Sequence, residues 1–285
     1  KPVSPDVIAR LKALVGEGGW SEDPDRIAPK LIEWRERWSG HTPLLLLPKT
    51  TAEVAGIVGV CAETKTSLVP QGGNTGLVGG QIPQGEILLS LERMNRIRDI
   101  NKADDVIVAE AGVTLAAVHE AALAIDRRFP LSLASEGSCT VGGNISTNAG
   151  GTAVLRFGNM RDLVLGVEAV LPDGEIFEGI RRLRKDNTGY DLKQLLIGAE
   201  GTLGVVTAAS LKLFPLPVSK AVAMVGLATP HQALELLARA KDAAGSGLEA
   251  FEVICRLGLE LVVRHIPGSS DPFAEPHAWY ALVEI

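Results

Sequence analysis

Cysteine is scarce: Cys61, Cys139 and Cys255 are the only three in 285 residues, far apart and odd in number. They exclude a disulfide framework and a CxxC metal site, and they fit a reducing, cytoplasmic setting. No apolar run approaches the roughly eighteen residues of a membrane span, and the N-terminal residues show no charged, apolar, small-residue leader pattern. Positive charge is not in excess either. The 28 Lys and Arg stand against 34 Asp and Glu, a net charge of −6, so nothing suggests a nucleic-acid partner. Low-complexity tracts are absent and charged residues reach only 22%, which argues against disorder. Two phosphate signatures are also missing. There is no GxxxxGK[ST], and no GxGxxG opens a strand-to-helix turn. The GxG pairs at Gly16/Gly18 and Gly245/Gly247 fall at the ends of helical patterns, where glycine caps.

Glycine is plentiful, with 31 residues. Five of them crowd into VPQGGNTGLVGG, Val69 to Gly80, directly after an apolar run. At that density the backbone must take positive φ or come very close to something. SEGSCTVGGNISTNAGG, from Ser135, and GAEGTLG, from Gly198, have the same character. Their small residues, hydroxyls and amides leave consecutive N–H groups free to form an anion nest without a lysine. Each hydrogen bond to a charged group contributes about 1.5–3 kcal/mol, and Cβ atoms would only keep a diphosphate at a distance. Three such loops beside predicted strands point to one long ligand cradled from several sides.

Along the chain, the first 45 residues read as helical, with Ser4-Pro5 as N-cap and first turn. PLLLLPKTTAEVAGIVGVCAETK reads as strand, turn and helix, with Thr50 and Glu53 at capping-box spacing. Strands are expected in TSLVPQGG, from Glu86 and from Asp105, and a helix over 115–124. LVLGVEAVLPDGEIFEG is a hairpin around Pro172-Asp173-Gly174. A helix near 191–197 leads to one long strand after Gly204. At Pro215-Leu216-Pro217 the pattern changes to strands alternating with helices, the start of a small α/β domain. The final WYALVEI alternates like a strand with no turn after it, so the chain is expected to be a piece of a longer protein. That strand is expected to present an unpaired edge.

The three glycine motifs, the third extended as GYDLKQLLIGAEGTLGVVT, resemble the FAD-binding domain of the vanillyl-alcohol oxidase / p-cresol methylhydroxylase superfamily. They are most similar to the branch holding D-lactate dehydrogenase, D-2-hydroxyglutarate dehydrogenase and the glycolate oxidase catalytic subunit. The likeness runs from about Trp38 to Pro217, with motif order and spacing kept. It implies an α+β fold: a two-subdomain FAD-binding domain over residues 1–217, divided near residue 102, then the N-terminal part of an α/β cap domain over 218–285. It implies that Pro70, Gly72, Gly73, Asn74, Thr75, Gly76 and Leu77 wrap the diphosphate. Gly137, Ser138, Thr140, Gly142, Gly143, Asn144, Ser146 and Thr147 would follow the ribityl chain, diphosphate and flavin edge. Glu200, Gly201, Gly204 and Val206 would lie near the adenosine or the ring edge. Relatives with covalent FAD place a His where Asn74 stands. A carboxamide cannot make that bond, so non-covalent FAD is expected, with Cys139 as the alternative attachment point.

The resemblance further implies oxidation of a D-2-hydroxy acid (lactate, 2-hydroxyglutarate or glycolate type) by hydride transfer to flavin N5. Electrons would pass on to a quinone, an electron-transfer flavoprotein or a cytochrome, and a homodimer is compatible with it. The family's base is a His in an HxxGDGNxH-like stretch that also supplies metal ligands. None of His41, His119, His231, His265 and His277 lies in such a stretch. The base and metal ligands are therefore expected beyond Ile285, and no metal site is assigned within the chain. Arg156, Lys185 and Asn187 are candidates for the substrate or flavin edge, against the alternative of solvated surface residues. Two other readings stay open: a non-catalytic FAD-binding subunit of a multi-chain oxidase, and an NADPH-using relative of the UDP-sugar reductases.

Overall fold

Val54, Ile57, Val58 and Cys61 repeat at i, i+3, i+4 and i+7, which gives the helix Thr51–Thr64 one buried stripe. The computed structural model, which describes residues 2–285, shows how this helix begins. The Thr50 hydroxyl accepts from Glu53 N at 3.2 Å, while the Glu53 carboxylate accepts from Lys49 N at 2.7 Å, one residue earlier than a standard capping box. The stripe packs in one cluster with Leu44, Leu46, Ile87 and Leu89, and with Val7 and Leu11 of the helix Pro5–Val15.

Beneath the helix lies a sheet of β1 (Trp20–Ser21), β2 (Leu45–Leu46), β3 (Leu68–Gln71) and β4 (Ile87–Ser90), in the order β1-β2-β4-β3. β2 and β3 run parallel to β4, and β1 is an antiparallel edge. Leu45, Leu46 and Ile87 to Leu89 are fully buried, as in parallel strands covered on both faces. Helix in the first 45 residues is limited mainly to Pro5–Val15. Pro24 and Pro29 divide the segment after β1 into the four-residue helix Pro24–Ile27 and a 3₁₀ turn, Ala28–Lys30.

A second sheet is wholly antiparallel. Its strands are β5 (Ile97–Asn101), β6 (Val106–Glu110), β8 (Val164–Val170), β9 (Ile176–Gly179) and β10 (Val205–Lys212), in the order β5-β6-β10-β8-β9. β7 (Arg127–Arg128) pairs separately with β11 (Phe214–Pro215). The expected hairpin is β8–β9, closed at Gly174 with φ +90° and a hydrogen bond from its N–H to Leu171 O at 2.9 Å. The second glycine stretch is not loop throughout, since Val141–Ser146 forms a short helix. Gly142 allows it to approach the end of β6: a methyl there would stand 2.7 Å from Ala111 Cβ.

A charged network ties the second sheet to the helix Thr51–Thr64. Glu110, fully buried, accepts from Arg96 Nη2 at 2.9 Å and Arg98 Nε at 3.2 Å. Arg98 also grips Glu168 through two bonds of 2.9 and 3.0 Å. Glu168 in turn accepts from Thr51 Oγ1 at 2.6 Å and Thr207 Oγ1 at 2.7 Å, so the start of the helix Thr51–Thr64 and the second sheet share one network. Burial alone would raise both carboxyls, but the hydrogen bonds from the arginines prevail and hold them below the ordinary glutamate value.

All these elements belong to one compact unit, made of residues up to Phe129, Ala134–Ala149 and Met160–Pro215. A second unit comprises Pro130–Leu133, Gly150–Asn159 and Leu216–Ile285. Its strands are β12 (Val222–Leu227), β13 (Ala250–Cys255) and β14 (Trp279–Glu284), with helices Pro230–Ala244 and Arg256–His265 between them. The strand–helix alternation is as expected, but β14 sits between β12 and β13 and is antiparallel to both. This is a split β-α-β arrangement. The expected open edge on the last strand is therefore corrected: β14 is hydrogen-bonded on both sides.

Candidate cofactor site

Three sequence-distant loops of the first unit meet at glycines. A methyl on Gly73 would stand 1.9 Å from Ser138 O, and one on Gly72 2.4 Å from Thr140 Oγ1. Only hydrogen at these positions lets the first loop lie on the second. Gly201, at φ +81°, brings the third loop onto the ring of Pro70, where a methyl would approach to 2.5 Å. Glu200 N donates to Ser146 O, and Gly198 N to Ile145 O, each at 3.0 Å, which joins the third loop to the second.

Carboxamides hold the first loop in shape. Asn74 sits in the left-handed region at φ +53°. Its Nδ2 donates to Ile32 O at 2.9 Å, and its Oδ1 accepts from Gln81 Nε2 at 3.2 Å. Gln81 Nε2 also closes onto Gly76 O at 2.7 Å. Buried Gln71 donates through Nε2 to Lys30 O at 2.9 Å and Gln81 O at 3.0 Å.

A cavity of about 550 Å³ opens beside this cluster, within the usual range for small-molecule sites. Gly72, Gly73, Asn74, Ser138 and Thr140 line it, so both predicted loops contribute to one wall. The other lining residues lie outside the three glycine motifs: Arg26, Pro29, Lys30, Glu92, Asn95, Gly112, Val113, Thr114 and Ala117. Of these only Thr114 had a local signal, as a hydroxyl before a helical pattern. It caps the helix Leu115–Leu123, accepting from Ala117 N at 3.2 Å, and so aims the positive end of that helix at the cavity. Arg26 and Lys30 add full charges, Lys30 being paired with Glu92.

Thr140 Oγ1 is buried and has no hydrogen-bond partner, a state that a ligand oxygen would relieve. Together with the glycine contacts and the cations, this donor set suits an anionic diphosphate, so the residues present fit FAD.

The remaining predicted residues are distributed around this core. Pro70 lies in β3 under Gly201; Thr75, Gly76 and Leu77 continue the first loop, with Leu77 exposed. Gly137 has nothing within 4 Å of where a Cβ would lie. Gly142, Gly143, Asn144 and Ser146 belong to the short helix, and Thr147 follows it, its hydroxyl donating to Gly143 O at 2.9 Å. Asn144 is buried, with Nδ2 3.7 Å from the Sγ of buried Cys139. Glu200 reaches toward Gly80, Gly204 faces Val170 O, and Val206 is buried in β10 opposite Ala169, where its side chain serves the sheet core. None of these lines the cavity. Lys185 and Asn187 are exposed, with no hydrogen bond or ion pair among the described residues. Arg156 lies in the second unit, where it pairs with Glu249 at 3.5 Å and stacks on Phe157. No histidine lines the cavity, and among the described residues no group of three or more His, Cys, Asp or Glu could hold a metal ion.

Residues 42–179 match the family described as FAD binding domain. The fold is shared with p-cresol methylhydroxylase in complex with its substrate: a TM-score of 0.78 at 19% identity, over 98% of this chain and 60% of that one. Residues 42–179 are a domain of this FAD-binding family. FAD is the cofactor of this domain. Curated relatives include mitochondrial D-2-hydroxyglutarate dehydrogenases from Arabidopsis thaliana, 38% identical over 97% of this chain, and Bos taurus, 42% identical over 99%. This FAD-binding chain spans about half their length, 50% and 52% respectively.

The relatives' names overturn one expectation, the cytoplasmic setting, because they are mitochondrial. Three isolated thiols do not tell one compartment from another. Among the described residues, no helix is long and apolar enough to cross a membrane.

Proposed function

We propose that this chain is the FAD-binding part of a dehydrogenase that oxidises a D-2-hydroxy acid to the 2-oxo acid, with D-2-hydroxyglutarate the leading substrate. The observation that carries this reading is identity of 38–42% sustained over 97–99% of the chain, both units included, with relatives named for that reaction. On this reading residues 1–217 form the FAD domain, apart from Pro130–Leu133 and Gly150–Asn159, which fold with the second unit, and 218–285 begin the substrate domain.

Bound FAD supplies the acceptor for the substrate's α-hydrogen as hydride at N5. The chain's own part is to bind and orient. Backbone N–H groups of Gly72 to Gly76 and the Thr140 hydroxyl hold the diphosphate, and the Gly73–Ser138 approach fixes the spacing of the two loops. Asn74 commits its carboxamide to Ile32 and Gln81, which supports dissociable FAD. The base that takes the hydroxyl proton is assigned outside this chain, since none of its five histidines lies in an HxxGDGNxH-like stretch.

The test is the absorption spectrum of the purified chain before and after acid precipitation, followed by anaerobic addition of D-2-hydroxyglutarate, its L-enantiomer, D-lactate and glycolate to the full-length gene product. All flavin should move to the supernatant, and D-2-hydroxyglutarate should bleach the flavin bands fastest. Flavin that stays with the precipitate would refute the dissociable cofactor. A full-length flavoprotein that no hydroxy acid reduces would leave the FAD-binding-subunit reading in its place.

A further inference from the structure

We propose that Arg26 and Lys30 form a cationic wall that holds the FAD diphosphate against the glycine loop. This rests on the assignment of FAD to the cavity and adds residues that no glycine motif reveals. Both residues line the cavity together with a loop whose donors are backbone N–H groups. Arg26 forms no ion pair or hydrogen bond among the described residues, so all five of its N–H donors are free for a ligand. The Lys30 ammonium touches Glu92 and lies 3.4 Å from Ser90 Oγ. With three donors it can keep these and still reach one phosphate oxygen.

The placement of the two cations is built into the fold. They ride on the turn Pro24–Lys30, whose backbone is fastened to the glycine loop by the loop's own carboxamides. Gln71 Nε2 donates to Lys30 O at 2.9 Å, and Asn74 Nδ2 to Pro29 O at 3.3 Å as well as to Ile32 O. The residues that shape the anion nest thus also set the distance from nest to cations. The buried, unpartnered Thr140 Oγ1 belongs to a residue that lines the same cavity and points independently to an oxygen-rich ligand there. Glu92 is the only acid in the lining, and Lys30 already offsets it, which leaves Arg26 as net positive charge. A planar guanidinium can grip two phosphate oxygens at once.

The experiment is a fluorescence titration of the flavin-depleted chain with FAD and with riboflavin, which lacks both phosphates, for wild type, Arg26→Gln, Lys30→Gln, the double variant and Arg26→Lys. Each single Gln variant should raise the FAD dissociation constant about tenfold, equivalent to ~1.4 kcal/mol, and the double variant more. Arg26→Lys should recover part of the loss, and riboflavin affinity should not change. Added salt should weaken FAD binding less in the double variant than in wild type, because fewer charges remain to screen. FAD affinity within twofold of wild type in the double variant would overturn the proposal. So would an equal loss for riboflavin, which would place the effect on the fold and not on phosphate. A wild-type chain that fails to bind FAD at all would instead sink the cofactor assignment beneath it.

Discussion

Replacing Gly73 by alanine puts a methyl carbon 1.9 Å from the carbonyl oxygen of Ser138. Ordinary contact begins near 3.4 Å, so the two loops would have to separate by about 1.5 Å, the difference between 3.4 and 1.9. The obstacle is backbone on both sides, with no rotamer to turn away. Overpacking of this kind costs about 1–3 kcal/mol. Because the strain falls on the loop pair that forms the cavity wall, FAD binding should weaken by about tenfold for each ~1.4 kcal/mol of it. Gly137→Ala is the matched control, with nothing within 4 Å and a φ that L-residues accept. It should change stability by less than about 0.5 kcal/mol. Titration with FAD and thermal melts with and without FAD decide the matter. If Gly73→Ala binds FAD within threefold of wild type and melts at the same temperature, the two loops do not need that approach, and the account of the cradle is wrong.

Acid stability offers a second check. Burial pushes the Glu110 carboxyl up, but hydrogen bonds from Arg96 and Arg98 outweigh it, so its folded value lies below the usual 4.5. A depressed carboxylate contributes stability that is complete above 4.5 and is lost as pH falls through the folded value. Melting temperature should therefore drop steeply below that point, and Glu110→Gln should flatten the drop while lowering the melting temperature at neutral pH; parallel profiles would contradict this. Arg156→Ala should cost on the order of 1 kcal/mol by removing the Glu249 pair, without altering FAD affinity. A tenfold change in affinity would return Arg156 to the flavin. Asn74→Ala should loosen the first loop and raise the FAD dissociation constant severalfold, since each lost hydrogen bond is worth roughly 1 kcal/mol. Faster amide exchange over 72–76 in the flavin-free chain should accompany it, and unchanged exchange would show that the loop is held by other means.

The glycine loops could be read before any coordinates because a residue chosen for lack of bulk leaves a dense local pattern, and close approach was the right physical reading of it. Gly73 and Gly201 are where the loops touch. The charged part of the cavity lining left no such trace. Arg26 and Lys30 look like ordinary surface charges in PDRIAPK, and only the long-range carboxamide bonds from Gln71 and Asn74 place them at the site. β5 escaped for a related reason: Arg98 and Asp99 interrupt its apolar pattern, and Arg98 is there for Glu110 and Glu168. In the second unit the element types were readable but the pairing was not, because strand order depends on contacts between residues some sixty apart, such as Val222 and Glu284. Arg156 drew notice through its nearness in sequence to the second motif, and its pairing with Glu249, 93 residues away, left no trace in the sequence.

The position of β14 sets an order of events for the second unit. β12 and β13 share no hydrogen bonds with each other; each is paired only to a strand that comes after both in the chain. A nascent chain therefore emerges from the ribosome with two strands that have nothing to zip against until Trp279–Glu284 follows. During that interval the helices Pro230–Ala244 and Arg256–His265 must form by local propensity alone. Premature termination just ahead of Trp279 would abolish every strand pairing in the unit while leaving more than three-quarters of its residues intact. Nonsense and frameshift lesions just ahead of Trp279 should thus be as damaging to the unit as lesions near its start.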